Sequence, residues 1–386
     1  MTEKFSSIRH FTKEEAAEVW KSVFDHPDLS NALQKLNLGL SSEAWKEECK
    51  NYKPHYDFQK ATLGRFLKIC SDKSTTEVIY SGLENIQTDK SYLFIANHRD
   101  IIMDSAYQQL YFFDHNINTT KIAIGDNLVS TPLLLNIAKL NKMFLVKRGG
   151  SIREKILNSK ELSEYIHHGM AEEHESVWIA QRNGRTKNGI DLTQQGLIKM
   201  LTYYNEERDL QEVLQEMHIT PVTISYEYEP CDNLKARELA LSENDKYIKK
   251  PGEDFNSICQ GIFGFKGRVH FVIGKPIDDE IAQITPTLRK NDKLAAVCKI
   301  IDQQIYANYK LYPTNYIAYD VQENSNEFAH FYTEQQKQDF LQYIEKQSVT
   351  EDVEQEKMKN YLFQIYANPV KTHYGKELNA QEDKNW

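Results

Sequence analysis

Between Val78 and Ile273 the chain alternates short β-rich runs with stretches of helical spacing, and this alternation limits the fold more than any other feature. The β-rich runs fall at 78–80, 92–96, 121–124, 143–146, 176–180, 220–228 and 268–273. Helical periodicity fills several of the intervals, at 101–112, 132–140, 152–167 and 197–217. Strands separated by helices predict an α/β fold with a central, mostly parallel sheet flanked by helices.

The flanks read differently. Thr12 and Glu15 have capping-box spacing, with Ala16, Val19, Val23 and Phe24 following on one helical face. A second helical pattern runs from Phe58 to Ile69, so residues 1–75 are expected to form a helical N-terminal region. Residues 76–285 would be the α/β domain and 286–386 a helical C-terminal extension. In that extension Leu294, Val297, Ile301 and Ile305 mark one helix, and Thr333 with Gln336 caps another. Val353, Met358, Leu362 and Ile365 mark the last, which Pro369 and Gly375 are expected to end.

Charge and cysteine usage narrow the function. Lys+Arg 47 against Asp+Glu 56 leaves −9, which argues against nucleic acid as a partner. Basic residues that do cluster, around Lys147 and Arg182, therefore stand out as local features. Cys49, Cys70, Cys231, Cys259 and Cys298 are scattered, with no CxxC or metal-ligand spacing. That pattern suits a reducing compartment and implies no structural metal. The first fifteen residues lack the apolar core of a signal peptide, and no apolar run reaches membrane-span length.

Chemistry concentrates at the ends of predicted strands, where open α/β sheets bind their ligands. The run 92–96 leads into Asn97-His98-Arg99-Asp100, with Asp104 six residues after the histidine. A histidine with a carboxylate partner is a general base, although a loop histidine beside a helix-capping aspartate satisfies the same residues. The run 143–146 leads into Lys147-Arg148-Gly149-Gly150 ahead of a helix, a plausible phosphate seat. The run 176–180 leads into Gln181-Arg182-Asn183-Gly184-Arg185-Thr186-Lys187, an anion-binding candidate. The run 220–228 carries Pro221 near its start.

In this order the four blocks resemble the glycerolipid acyltransferase family, which acylates glycerol 3-phosphate or 1-acylglycerol 3-phosphate. The resemblance rests on Asn97-His98…Asp104, Phe144…Arg148, Asn183-Gly184-Arg185-Thr186 and Pro221-Val222, and spans roughly residues 75–280. Two positions depart from the family pattern. Met103 stands at the family's Asp position, with Asp104 one residue later, and Asn183 stands where Glu is usual.

The resemblance implies acyl transfer from a thioester, acyl-CoA or acyl-carrier protein, to the hydroxyl of a phosphorylated glycerol or lyso-lipid. His98 would be the general base, held by Asp104, with Asp100 as helix cap and second choice. Asn97, Lys147, Arg148, Arg182, Asn183, Gly184, Arg185 and Thr186 would line the substrate site, the arginines against phosphate. No metal and no cofactor beyond the acyl donor is implied. Two other readings stay open: a different lyso-lipid or amino-acid lipid acceptor, or a catalytically silent lipid-binding relative. The expected location is cytoplasmic and peripheral to a membrane, met through the apolar stretch 133–145 or the N-terminal helices.

Overall fold

Seven strands form one sheet: β1 (Thr75–Ser81), β2 (Leu93–Ala96), β3 (Lys121–Gly125), β4 (Met143–Val146), β5 (Val177–Ala180), β6 (Ile219–Tyr226) and β7 (Gly267–Ile273). Their order is β1-β7-β6-β2-β5-β3-β4. Strands β6, β2, β5, β3 and β4 pair in parallel, whereas β7 runs antiparallel to β6 and carries β1 parallel to itself. The sheet of this computed structural model is therefore α/β and mostly parallel, with one direction change at β6–β7. The structure describes residues 4–36, 39–49, 59–243 and 247–378. Phe58, the expected start of the second helical pattern, lies outside them, as do residues 1–3 and the side chain of Cys49.

In chain order the helices are α1 (Lys13–Phe24), α2 (Pro27–Leu36), α3 (Ser42–Cys49), α4 (Arg65–Ser74), α5 (Met103–Asp114), α6 (Pro132–Leu140) and α7 (Ile152–Ala171). They continue as α8 (Gln195–Leu201), α9 (Leu210–Gln215), α10 (Asp232–Leu241), α11 (Glu253–Phe263) and α12 (Asp278–Ala282). The last four are α13 (Lys290–Asn308), α14 (Pro313–Gln322), α15 (Glu334–Gln347) and α16 (Gln355–His373). Both capping boxes form, at Thr12/Glu15 and Thr333/Gln336.

Strand β2 shows how the sheet makes two cores. Its residues alternate faces: Leu93 and Ile95 join Phe144, Ile166 and Ile301, while Phe94 and Ala96 join Met103, Phe112 and Phe271. All four β2 residues are buried, as a central parallel strand requires. A third core, with Ile317, Phe340 and Leu362, holds α14–α16 together.

Two expectations change, and one interval the sequence left unassigned is filled. The segment 197–217 is two short helices separated by a 3₁₀ turn at Tyr203–Asn205. Helices α10 and α11 occupy the long β6–β7 interval. Pro369 does not end α16 but sits inside it. Pro369 cannot donate to the Ile365 carbonyl, and that carbonyl instead lies against Gly189, where a Cβ would come within 2.2 Å of its oxygen.

The stretch 133–145 is also not a free apolar surface. Ala138, Leu140, Met143 and Phe144 are buried, and Leu133 and Ile137 pack with α1–α3. No helix among the described residues is long and apolar enough to cross a membrane.

Candidate active site

Register explains why blocks far apart in sequence meet. Ala96, the last residue of β2, pairs with Ala180 of β5 on one side and Val222 of β6 on the other. The loops that follow β2 and β5 therefore emerge side by side, next to the continuing β6.

Residues 97–102 fold back over the start of α5, and this fold carries His98 to Asp104. His98 Nδ1 lies 3.0 Å from Asp104 Oδ2. The same oxygen accepts the backbone N–H groups of Arg99 at 2.6 Å and Asp100 at 2.8 Å. Oδ1 accepts the hydroxyl of Tyr226 at 2.7 Å. Burial, then the charges of Asp104 and Asp100, push the Tyr226 phenol well above its ordinary pKa, so it stays a donor. Asp104 is thus fully buried with both oxygens engaged, while the His98 side chain keeps 13% of its surface open. With Nδ1 committed to Asp104, Nε2 is the ring nitrogen left for a substrate.

Asp100 takes the other role. Its Oδ1 accepts the N–H groups of Ile102 at 2.9 Å and Met103 at 2.7 Å, capping α5. No hydrogen bond among the described residues joins it to His98.

Beneath the loop lies a buried charge cluster that sequence reading missed. Arg99 binds Asp191 through Nε (3.1 Å) and Nη2 (2.8 Å), Glu229 through Nη1 (3.1 Å) and the Gly189 carbonyl (3.2 Å). Lys235 closes the cluster on Glu229 at 2.5 Å and on the Arg99 carbonyl at 2.7 Å. Two cations thus meet two carboxylates, the balance that lets charges be buried. Burial would depress Arg99, but Asp191 and Glu229 outweigh it and hold the guanidinium well above its usual pKa. Its partners lie 92 and 130 residues away, so nothing local in the sequence marks them.

Asn97 belongs to this layer too. The sequence reading set it against substrate, but it is fully buried and its carboxamide is consumed internally. It donates to Asp191 and the Ile224 carbonyl, both at 3.0 Å, and accepts the Ile224 N–H at 2.8 Å.

His98 opens onto a cleft of ≈ 400 Å³. Its lining includes the apolar side chains of Ile102, Ile122, Ile124, Met143, Val146 and Leu197. It also includes Lys147, Arg148, Lys155, Arg182 and Asn183. Lys147 is also paired with Glu161 at 2.9 Å. Asn183 is exposed, and its N–H donates to Gln194 at 2.7 Å. Gly184, Arg185 and Thr186 do not line the cleft. Gly184 turns the loop at φ +78°, a conformation that favours glycine. Arg185 interacts with the buried thiol of Cys231, and Thr186 is buried with its N–H on the His98 carbonyl at 2.6 Å.

A histidine held by a carboxylate thus lies at the end of a central strand, beside a cleft lined by apolar and cationic side chains, a geometry suited to general-base chemistry. Residues 77–225 match the Acyltransferase family. No curated protein matches the chain. Among solved structures it is similar to the 1-acyl-sn-glycerophosphate (LPA) acyltransferase PlsC from Thermotoga maritima. That match has 11% identity and a TM-score of 0.39, over 78% of this chain and 100% of the other.

Proposed function

We propose that this enzyme is an O-acyltransferase moving a fatty acyl group from acyl-CoA or acyl-carrier protein to glycerol 3-phosphate or 1-acylglycerol 3-phosphate. The observation that carries this reading is the His98–Asp104 contact beside a cleft lined by both apolar and cationic side chains. The acceptor hydroxyl attacks the thioester carbonyl while His98 Nε2 takes its proton. Asp104 fixes the ring tautomer and stabilises the imidazolium. Collapse of the tetrahedral intermediate breaks the C–S bond, and the leaving thiolate takes the proton from His98. The acyl chain lies along the apolar side chains and the phosphate against Arg148 and Arg182. The reaction as written uses no metal or cofactor. In this reading the enzyme works at the cytoplasmic side of a membrane, where its lipid substrates are.

Asn183 supports a second acceptor, because it stands exposed in the cleft lining where the resembled family usually has Glu. A different lyso-lipid or an amino-acid lipid would then take the hydroxyl's place. The silent-relative reading needed both carboxylates out of reach of His98, and the contact with Asp104 speaks against it. Incubating purified protein with radiolabelled acyl thioester and glycerol 3-phosphate, a panel of lyso-lipids or buffer alone decides the matter. Label appearing only in acylated phosphorylated glycerol supports the first reading. Label released only as free acid, or retained on the thioester, defeats acyl transfer to these acceptors.

A further inference from the structure

We infer that the first two turns of α7, together with residues 247–255 leading into α11, form a docking surface for an anionic lipid bilayer. The inference rests on the proposed function, since it says how a lipid-acylating enzyme reaches its acceptor.

The surface is built from residues that a water-facing protein has little reason to leave out. Ile152 is 80% exposed and Ile248 82%, with Phe255 at 60% and Leu157 at 56%. Ile152 and Ile156 lie one helical turn apart, on the same side of α7. Single exposed apolar residues are ordinary, but clusters of them mark interaction sites.

Charge selects the occupant. Across 148–157 and 247–255 the charged residues are Arg148, Arg153, Lys155, Lys249 and Lys250 against Glu154, Glu253 and Asp254, of which Asp254 pairs with Lys249 at 2.6 Å. Glu154 is itself engaged in capping α7 through Ser151. In a chain of net charge −9 this is a local reversal of sign. Aliphatic and aromatic tips interleaved with cations are what a layer of anionic headgroups over hydrocarbon recognises. A soluble acidic partner would satisfy the cations and leave the isoleucines in water.

Position ties the surface to the cleft. Both segments abut the turn Asp126–Leu128 that follows β3. The Arg148 N–H donates to Asp126 at 3.3 Å, and Asn127 Nδ2 donates to Asp254 of α11 at 3.2 Å. Gly125 and Leu128 line the cleft, and so do Arg148 before α7 and Lys155 within it. A bilayer against this surface therefore sits at the cleft mouth, where an acceptor can enter without crossing bulk water.

The test is cosedimentation of the full chain with phosphatidylcholine vesicles, with and without phosphatidylglycerol. Wild type is expected to bind the anionic vesicles, less strongly as salt rises. The combined variant Ile152→Ser, Ile248→Ser, Phe255→Ser should bind at least tenfold more weakly at an unchanged melting temperature. His98→Ala, whose change lies inside the cleft, should bind as wild type. Wild-type protein that ignores anionic vesicles yet acylates a monomeric, short-chain acceptor overturns the docking surface and leaves the proposed function standing. A combined variant that binds as tightly as wild type also overturns it. Vesicle binding lost by the variant, with no acyl transfer by wild type to any acceptor, supports the surface and removes the proposed function.

Discussion

Tyr226 donates its hydroxyl to Asp104 Oδ1 at 2.7 Å, leaving Oδ2 to hold His98. The phenol anchors the carboxylate that orients the proposed base, so the expectation is a positioning residue rather than a participant. Hydrogen bonds to charged groups contribute about 1.5–3 kcal/mol, and only part of that reaches the transition state. Tyr226→Phe should therefore lower kcat roughly tenfold with KM for both substrates little changed. A variant whose KM rises while kcat holds would show that Tyr226 contacts substrate instead.

The base and its partner should be less forgiving. His98→Ala is expected to lower turnover about a hundred- to ten-thousand-fold at unchanged thermal stability. Asp104→Asn should lose comparable activity and also melt earlier, because its Oδ2 additionally holds two backbone amides. Asp100→Asn keeps an oxygen for the Ile102 and Met103 amides and should retain most turnover. The reverse pattern, with Asp100→Asn inactive and Asp104→Asn active, would exchange their roles.

How much of this was legible in the sequence depends on the range of each interaction. Strand runs such as 92–96 and 143–146 are local patterns, and the structure has strands there. The direction change at β7 is not local, since it depends on α10 and α11 filling the β6–β7 interval. The pairing of His98 with Asp104 could be reached by argument, because a loop outside the helix is the only way to close six residues. The Arg99 cluster could not be reached, because Asp191 and the Glu229–Lys235 pair come from two separate later segments. Pro369 misled for a related reason: the Gly189 backbone that accommodates the Ile365 carbonyl lies far away in sequence.

The cationic residues of the cleft lining make a graded prediction. Arg148→Ala and Arg182→Ala should each raise KM for a phosphorylated acceptor roughly tenfold, with a smaller effect on the acyl donor. Arg185 lies outside the cleft lining, so Arg185→Ala should change that KM less than either. Steady-state kinetics with each substrate varied in turn separates the cases, and an equal rise for thioester and acceptor would count against the phosphate assignment.

Asp302 gives a pH dependence that does not involve catalysis. Burial pushes its carboxyl up to about 6, although it accepts the N–H and hydroxyl of Thr193 at 2.8 Å and 2.6 Å. A carboxyl raised in the folded state favours folding most when protonated, so its contribution is present below the unfolded pKa near 4 and lost as pH rises to about 6. Asp302→Asn keeps an acceptor for Thr193 without titrating. Relative to that variant, wild type should lose on the order of 3 kcal/mol between about pH 4 and pH 6. Parallel urea-denaturation curves across this range would refute the assignment.

Gly261 in α11 faces the catalytic loop so closely that it has no room for a side chain. A Cβ there would lie 1.9 Å from Asp100 Oδ2 and 2.8 Å from its Cγ. Two opposing effects bear on Gly261→Ala. Alanine favours the helix by about 1 kcal/mol, whereas overpacking a buried contact costs about 1–3 kcal/mol. The overlap is with a carboxylate fixed by two backbone amides, which cannot swing aside without uncapping α5, so the packing cost should win. The expected outcome is a lower melting temperature together with a lower kcat, because displacing Asp100 disturbs the loop that presents His98. Combining Gly261→Ala with Asp100→Ala removes the overlapping atoms, so the double variant should be more stable than the sum of the single changes. Strict additivity in that cycle, or a Gly261→Ala protein with wild-type stability and turnover, would mean that α11 does not brace the loop.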